Sequence, residues 1–151
     1  MGEMMAAVGK NVILMSALTA WFLAQILKTI TSFWKMKEFN AERLVGAGGM
    51  PSSHTSLVVA LAFAVAFHDG FDSPLFAVAS VLAAIVMYDA AGVRRAAGKQ
   101  AKVINKLVRE MKVEHTVRDT RLKELLGHTP LEVLAGALLG VTIAYLFSKI
   151  Y

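Results

Sequence analysis

Two short segments of the chain carry residues suited to chemistry. The first is Gly46-Ala-Gly-Gly-Met-Pro-Ser-Ser-His54, which leads straight into an apolar run. Its glycines let backbone approach a ligand, Ser52 or Ser53 is placed to cap the helix that follows, and the first-turn amides of that helix point at an anion. The bland account of the same residues is a capped loop between two helices. The second segment is Leu126-Gly-His-Thr-Pro-Leu-Glu132, which opens the last apolar run. Thr129, Pro130 and Glu132 read as the N-cap, N1 proline and N3 acid of a capping box, a complete structural account of Glu132. His128 stands just before that cap. The Glu132 carboxylate therefore has an alternative job, accepting a hydrogen bond from the imidazole, fixing its tautomer and stabilising the imidazolium.

Two imidazoles, a helix N-terminus with serine donors and several cations suit phosphoryl transfer, where catalysis is mostly positioning and the stabilisation of charge on oxygen. One histidine attacks phosphorus while the other protonates the leaving oxygen. Metal binding is the rival chemistry, because His128 and Glu132 are spaced i and i+4 and His54 could join them. Without a further acidic cluster, and among so many cations, a divalent ion would be poorly held, so neither a metal nor another cofactor is expected. A third stretch, YDAAGVRRAAGKQA from Tyr88 to Ala101, adds Asp89 at the end of an apolar run. A carboxylate there is costly unless paired, and Arg94 or Arg95 is the obvious partner. The same guanidinium groups suit phosphate, since each can bind two oxygens at once. His68 and His115 lack comparable neighbours and read as surface residues.

These groups need elements to hold them. A chain of 151 residues favours a single domain spanning 1–151. Hydrophobic residues make up 56% and charged residues 18%, with a mean hydropathy of +0.56, which excludes disorder and argues against a soluble enzyme. The absence of cysteine excludes disulfide scaffolds, thiolate metal sites and cysteine nucleophiles. The net charge of +5 admits nucleic acid, anionic lipid or phosphorylated substrates, and its distribution decides among them. Val12 to Ile30 is the best spanning segment; its polar Gln25 and Lys28 lie near its end, where a lysine can snorkel toward headgroups. It is read as retained rather than cleaved. Ser56–Phe67, Pro74–Tyr88 and Leu131–Phe147 are further apolar runs. Even counted from Ser53, the first of these reaches only about 22 Å at 1.5 Å per residue, so its polar end should sit below the headgroups or the bilayer should thin. Gly136 and Gly140, one turn apart in GALLG, permit close helix packing in lipid.

Lysines and arginines fill the first and third connections and are missing from the second, HDGFDS. By the positive-inside tendency the first and third connections face the cytoplasm and both termini face out. His54 and His128, nearly half the chain apart, then meet at one membrane face. Within the third connection, Ala97, Ala101, Ile104 and Val108 recur at helical spacing among basic residues, which predicts an amphipathic helix from Arg94 to Met111. The expected fold is an all-α integral membrane helical bundle, about four transmembrane helices plus that basic helix. Its partners are the bilayer and a phosphorylated membrane lipid, with no nucleic acid, and its place is the cell membrane.

At GGMPSSH (Gly48–His54), Tyr88–Ala101 and LKELLGHTPLEVLAGALLG (Leu122–Gly140), the sequence resembles the divergent branch of the type 2 phosphatidic acid phosphatases, relatives of acid phosphatases and vanadium-dependent haloperoxidases. The resemblance implies a metal-independent phosphatase working through a phosphohistidine. His128 is then the nucleophile, Glu132 replaces the aspartate that orients it, and His54 is the general acid. Ser52 and Ser53 bind phosphate, and Lys123 takes the place of the motif's arginine. The chain departs from the common pattern in three ways. Pro-Ser-Ser-His replaces Pro-Ser-Gly-His, the interval from Lys123 to His128 is one residue short, and the first motif is missing, with Met36 where its lysine belongs and Leu44 after Arg43. Lys28 or Arg94 is left to compensate.

The reaction expected is hydrolysis of a phosphomonoester on a lipid headgroup of the phosphatidylglycerophosphate or phosphatidate kind, with a polyprenyl phosphate or diphosphate as the alternative substrate. A non-catalytic lipid-binding or transport protein, and a vanadate-dependent oxidase, would use the same residues differently.

Overall fold

The computed structural model describes residues 2–36, 49–111 and 128–150, and among them there are six helices and no strand. They are α1 (Gly2–Lys10), α2 (Val12–Met36), α3 (Ser53–Asp69), α4 (Pro74–Ala91), α5 (Val93–Met111) and α6 (Pro130–Ile150). The all-α bundle expected from the apolar runs is the fold observed. Val12–Ser32, Pro130–Ile150 and a stretch beginning at Pro74 are long and apolar enough to cross a membrane, and Ser53–Asp69 is a shorter apolar helix. Helix α1 has no counterpart in the sequence reading. It stops at Asn11, whose side-chain oxygen accepts the Leu14 N–H at 2.9 Å and so caps α2. Helix α2 also continues to Met36, past the end of its apolar run.

Helix α3 is the axis of the molecule, touching α2, α4 and α6. Its buried residues, among them Ser53, Ser56, Val59, Ala62, Ala64 and Val65, lie around most of the helix, leaving the strip of His54, Leu57, Leu61 and His68 less covered. A helix apolar all round belongs inside a bundle. This explains how a helix of about 26 Å serves in a membrane protein: its neighbours rather than lipid cover most of it, and its length need not match the hydrocarbon thickness. Helix α4 reverses the pattern. Only Ala79, Ala83 and Ala90 are buried, while Leu75, Val78, Val81, Leu82 and Ile85 are exposed. Small residues face the protein and large apolar ones face outward, as on a helix whose solvent is lipid.

The tightest contact joins α3 to α6. A Cβ placed on Gly136 would stand 2.5 Å from the Ser52 carbonyl oxygen, and one on Gly140 would stand 2.8 Å from that of Ser56. The small residues of GALLG thus admit the backbone of α3 at two successive turns. The C-terminal ends of α2 and α4 and the N-terminal ends of α3 and α6 share one end of the bundle. At the other end Phe63, Phe67, Phe71, Phe76 and Tyr145 form a chain of ring contacts with centroids 5.3 to 6.4 Å apart.

Candidate functional site

The start of α3 is built by Ser52. Its Oγ accepts the Thr55 N–H at 3.4 Å and the Thr55 hydroxyl at 3.0 Å, and its carbonyl accepts from the Ser56 amide and hydroxyl. Ser52, Ser53, Thr55 and Ser56 are all buried. With Ser52 as N-cap, the amides of Ser53 and His54 open the helix, where no intrahelical acceptor exists for them. His54, in contrast to its neighbours, is exposed.

The start of α6 is built by a reciprocal capping box. The Thr129 hydroxyl accepts the Glu132 N–H at 3.3 Å, and Glu132 Oε2 accepts the Thr129 N–H at 3.0 Å. The same Oε2 lies 3.1 Å from His128 Nδ1. The two jobs that the sequence offered Glu132 as alternatives are therefore done together, by one oxygen. With Nδ1 donating to a carboxylate, Nε2 is left as the lone-pair nitrogen of the neutral ring. The His128 ring is only 3% exposed and the Glu132 side chain 20%. The His128 amide donates to the Ala90 carbonyl at 3.2 Å, which fastens the histidine to the end of α4.

A single backbone hydrogen bond joins the two helix starts, from the Ser52 N–H to the Glu132 carbonyl at 3.0 Å. His54 follows Ser52 by two residues, and His128 precedes Glu132 by one helical turn. The structure therefore brings the two motifs, distant in sequence, to one place at one end of the bundle. Gly136, one turn along α6, touches Ser52 and Thr55 and makes this approach sterically possible.

Lys28 joins them from α2. It is 2% exposed, so it is turned into the protein rather than snorkelling toward headgroups as its place in the sequence suggested. Gly49, at φ +98°, packs on its stem: a Cβ there would meet Lys28 Cγ at 2.7 Å. A side chain would be strained by that φ and would displace the lysine. The Thr31 hydroxyl donates to the Met50 carbonyl at 2.7 Å, which ties the loop before Ser52 to α2. Arg94 and Arg95 lie in the first turn of α5, next to the end of α4. Arg43, Lys123 and His115 lie outside the described residues. Asp89 is half-buried one residue before Ala90. His68 is far from the site, exposed, and pairs with Asp69 at 2.7 Å.

Among the described residues no trio of His, Asp and Glu is close enough to hold a metal ion. The chemistry the arrangement can perform is that of an oriented imidazole beside a capped helix N-terminus and a buried lysine. Sequence reasoning missed three supports: the Ser52–Glu132 backbone bond, the Gly49 seat for Lys28 and the Ala90 tether. The glycine in GGMP is the sole trace of any of them in the sequence.

Residues 9–143 match the family described as the Divergent PAP2 family. The chain is also 42% identical over 152 aligned residues to YuiD of Bacillus subtilis (strain 168), an uncharacterized membrane protein, covering 91% of this chain and 96% of that one. No solved structure matches the chain.

Proposed function

This chain belongs to the Divergent PAP2 family, and from that premise we propose that it is a membrane lipid phosphatase that hydrolyses a phosphomonoester on a lipid headgroup through a phosphohistidine. The observation that carries the reading is the Glu132 Oε2 to His128 Nδ1 contact of 3.1 Å, which leaves Nε2 as the nucleophile. In the first step Nε2 attacks phosphorus, the P–O bond to the lipid alcohol breaks, and His54 gives its proton to the departing oxygen. The Glu132 carboxylate offsets the positive charge on the substituted ring. In the second step His54 takes a proton from water, the water oxygen attacks phosphorus, and the P–N bond breaks to release phosphate and restore the neutral ring.

Phosphate oxygens are held by the amides at the start of α3, by Ser53 and by Lys28, with Arg94, Arg95, Arg43 and Lys123 supplying further charge. Ser52 contributes through its capping of α3. An apolar tail enters from the bilayer beside α4, and the basic connections support a site at the cytoplasmic face of the cell membrane. Substrates of the phosphatidylglycerophosphate or phosphatidate kind suit that face, and a polyprenyl phosphate fits the same chemistry.

The test is to trap a labelled enzyme from a radiolabelled phospholipid monoester with purified protein in detergent. The expected result is an acid-labile, base-stable adduct that His128→Ala abolishes. Phosphate release by His128→Ala at the wild-type rate would overturn the proposal. The burial of His128 favours one second reading, a non-catalytic protein that binds or moves anionic lipids at this same end. Lipid binding with no phosphate release by the wild type, across monoester and polyprenyl substrates, would select it.

A further inference from the structure

Beyond its first turn, α5 plays no part in the reaction above, and its surface is of an unusual kind. Among the described helices it touches α4 alone. At 3.6 residues per turn, Lys99, Lys102, Lys106 and Arg109 fall on one side, while Val103, Ile104 and Leu107 fall on another. Val103 is 58% exposed, Ile104 44% and Leu107 52%. The four basic residues are exposed as well. The protein covers only a narrow strip that includes Gly98 and Ala101. An apolar strip and a cationic strip are thus left uncovered side by side. Neither bulk water nor hydrocarbon suits both, whereas the headgroup boundary does.

The place of α5 in the chain agrees. Helix α4 is 18 residues long, about 27 Å, close to the roughly 30 Å of a bilayer's hydrocarbon. The next helix begins after Gly92, at the end of the bundle that carries the polar motifs, and so at headgroup depth. The sign of its charge selects the partner. A cluster of lysines and arginines directly after a spanning helix binds anionic headgroups by counter-charge, and neutral lipid offers it no such gain.

We propose that α5 is an interfacial helix that docks on anionic phospholipid, with Val103, Ile104 and Leu107 among the acyl chains and Lys99, Lys102, Lys106 and Arg109 against headgroup phosphates. This holds whether or not the chain is a phosphatase. The cysteine-free sequence makes it testable with single labels. Full-length Val103→Cys carrying an environment-sensitive fluorophore is reconstituted in phosphatidylcholine vesicles with and without phosphatidylglycerol, and acyl-chain bromolipids serve as quenchers. The expected result is a blue shift and several-fold stronger quenching when phosphatidylglycerol is present. Both effects are lost at high salt and in the combined Lys99→Gln, Lys102→Gln, Lys106→Gln variant. A label at Lys102→Cys should be quenched much less than one at Val103→Cys. Equal quenching at Val103 with and without phosphatidylglycerol, a solvent-exposed label in both vesicles, or equal quenching at positions 102 and 103 would each overturn the proposal.

Discussion

The two ends of α3 are held in different ways. At the first turn, Ser52 is bound through its amide, hydroxyl and carbonyl, and α6 approaches to backbone contact across Gly136. At the other end, Gly70 caps the helix by donating its N–H to the Ala66 carbonyl, and the packing is by rings: Phe63 and Phe67 touch Phe71, Phe67 touches Tyr145, and Lys149 sits 5.3 Å from the Tyr145 ring. Directional bonds fix positions to tenths of an ångström, whereas ring contacts tolerate sliding. The end that carries His54 and His128 is the end where backbone hydrogen bonds cross from one helix to another, as expected where geometry serves chemistry.

That contrast can be broken from either side. The largest effect belongs to Glu132→Gln, which keeps an acceptor for the Thr129 N–H but removes the charge facing His128. Turnover should fall about 100-fold or more, while lipid binding and thermal unfolding change little. A rate within threefold of wild type would detach Glu132 from the mechanism. Next is Gly136→Ala, whose new methyl group meets a backbone carbonyl that cannot move without shifting α3. A loss of about 1–3 kcal/mol is expected in unfolding measured in detergent. Gly9→Ala, with nothing within 4 Å of its Cβ, should be neutral or stabilising. Equal melting temperatures for the two variants would deny the close helix contact.

Ser52→Ala removes the cap and should cost about 1 kcal/mol, read from the same unfolding curves. At the opposite end, Phe67→Leu should cost about 0.5–1.5 kcal/mol with turnover unchanged, because it loosens ring contacts remote from the histidines. A fall in activity equal to that of Glu132→Gln would show that the two ends act as one unit. Smallest of all is the effect of a chelator. EDTA should leave phosphate release unaltered, and strong inhibition would point to a metal instead of the histidine pair.

Much of this architecture is legible in residue order, and the illegible part has a common cause. The apolar runs gave α2, α3, α4 and α6, the helical spacing of apolar among basic residues gave α5, Thr129-Pro130-Leu-Glu132 gave the start of α6 to the residue, and the placement of cations brought the two histidine motifs to one end. Lys28 was misjudged because its position near the end of an apolar run is compatible with either direction of its long stem. Choosing between them required knowing that Gly49 lies against it. The Ser52–Glu132 and His128–Ala90 bonds were invisible for a deeper reason: backbone amides and carbonyls are the same at every position, so pairing them across helices leaves no mark on side-chain identity. Arg43 and Lys123 stay as the sequence left them.

The oxygen shared by the Thr129 amide and the His128 imidazole makes local folding and ring alignment a single event. As soon as α6 forms its opening turn, the carboxylate is delivered to Nδ1, and the ring is held in orientation without a separate loss of rotational entropy. The reverse also holds: a group attached to Nε2 alters the charge felt by that oxygen, so the first turn of α6 would register whether the histidine is modified.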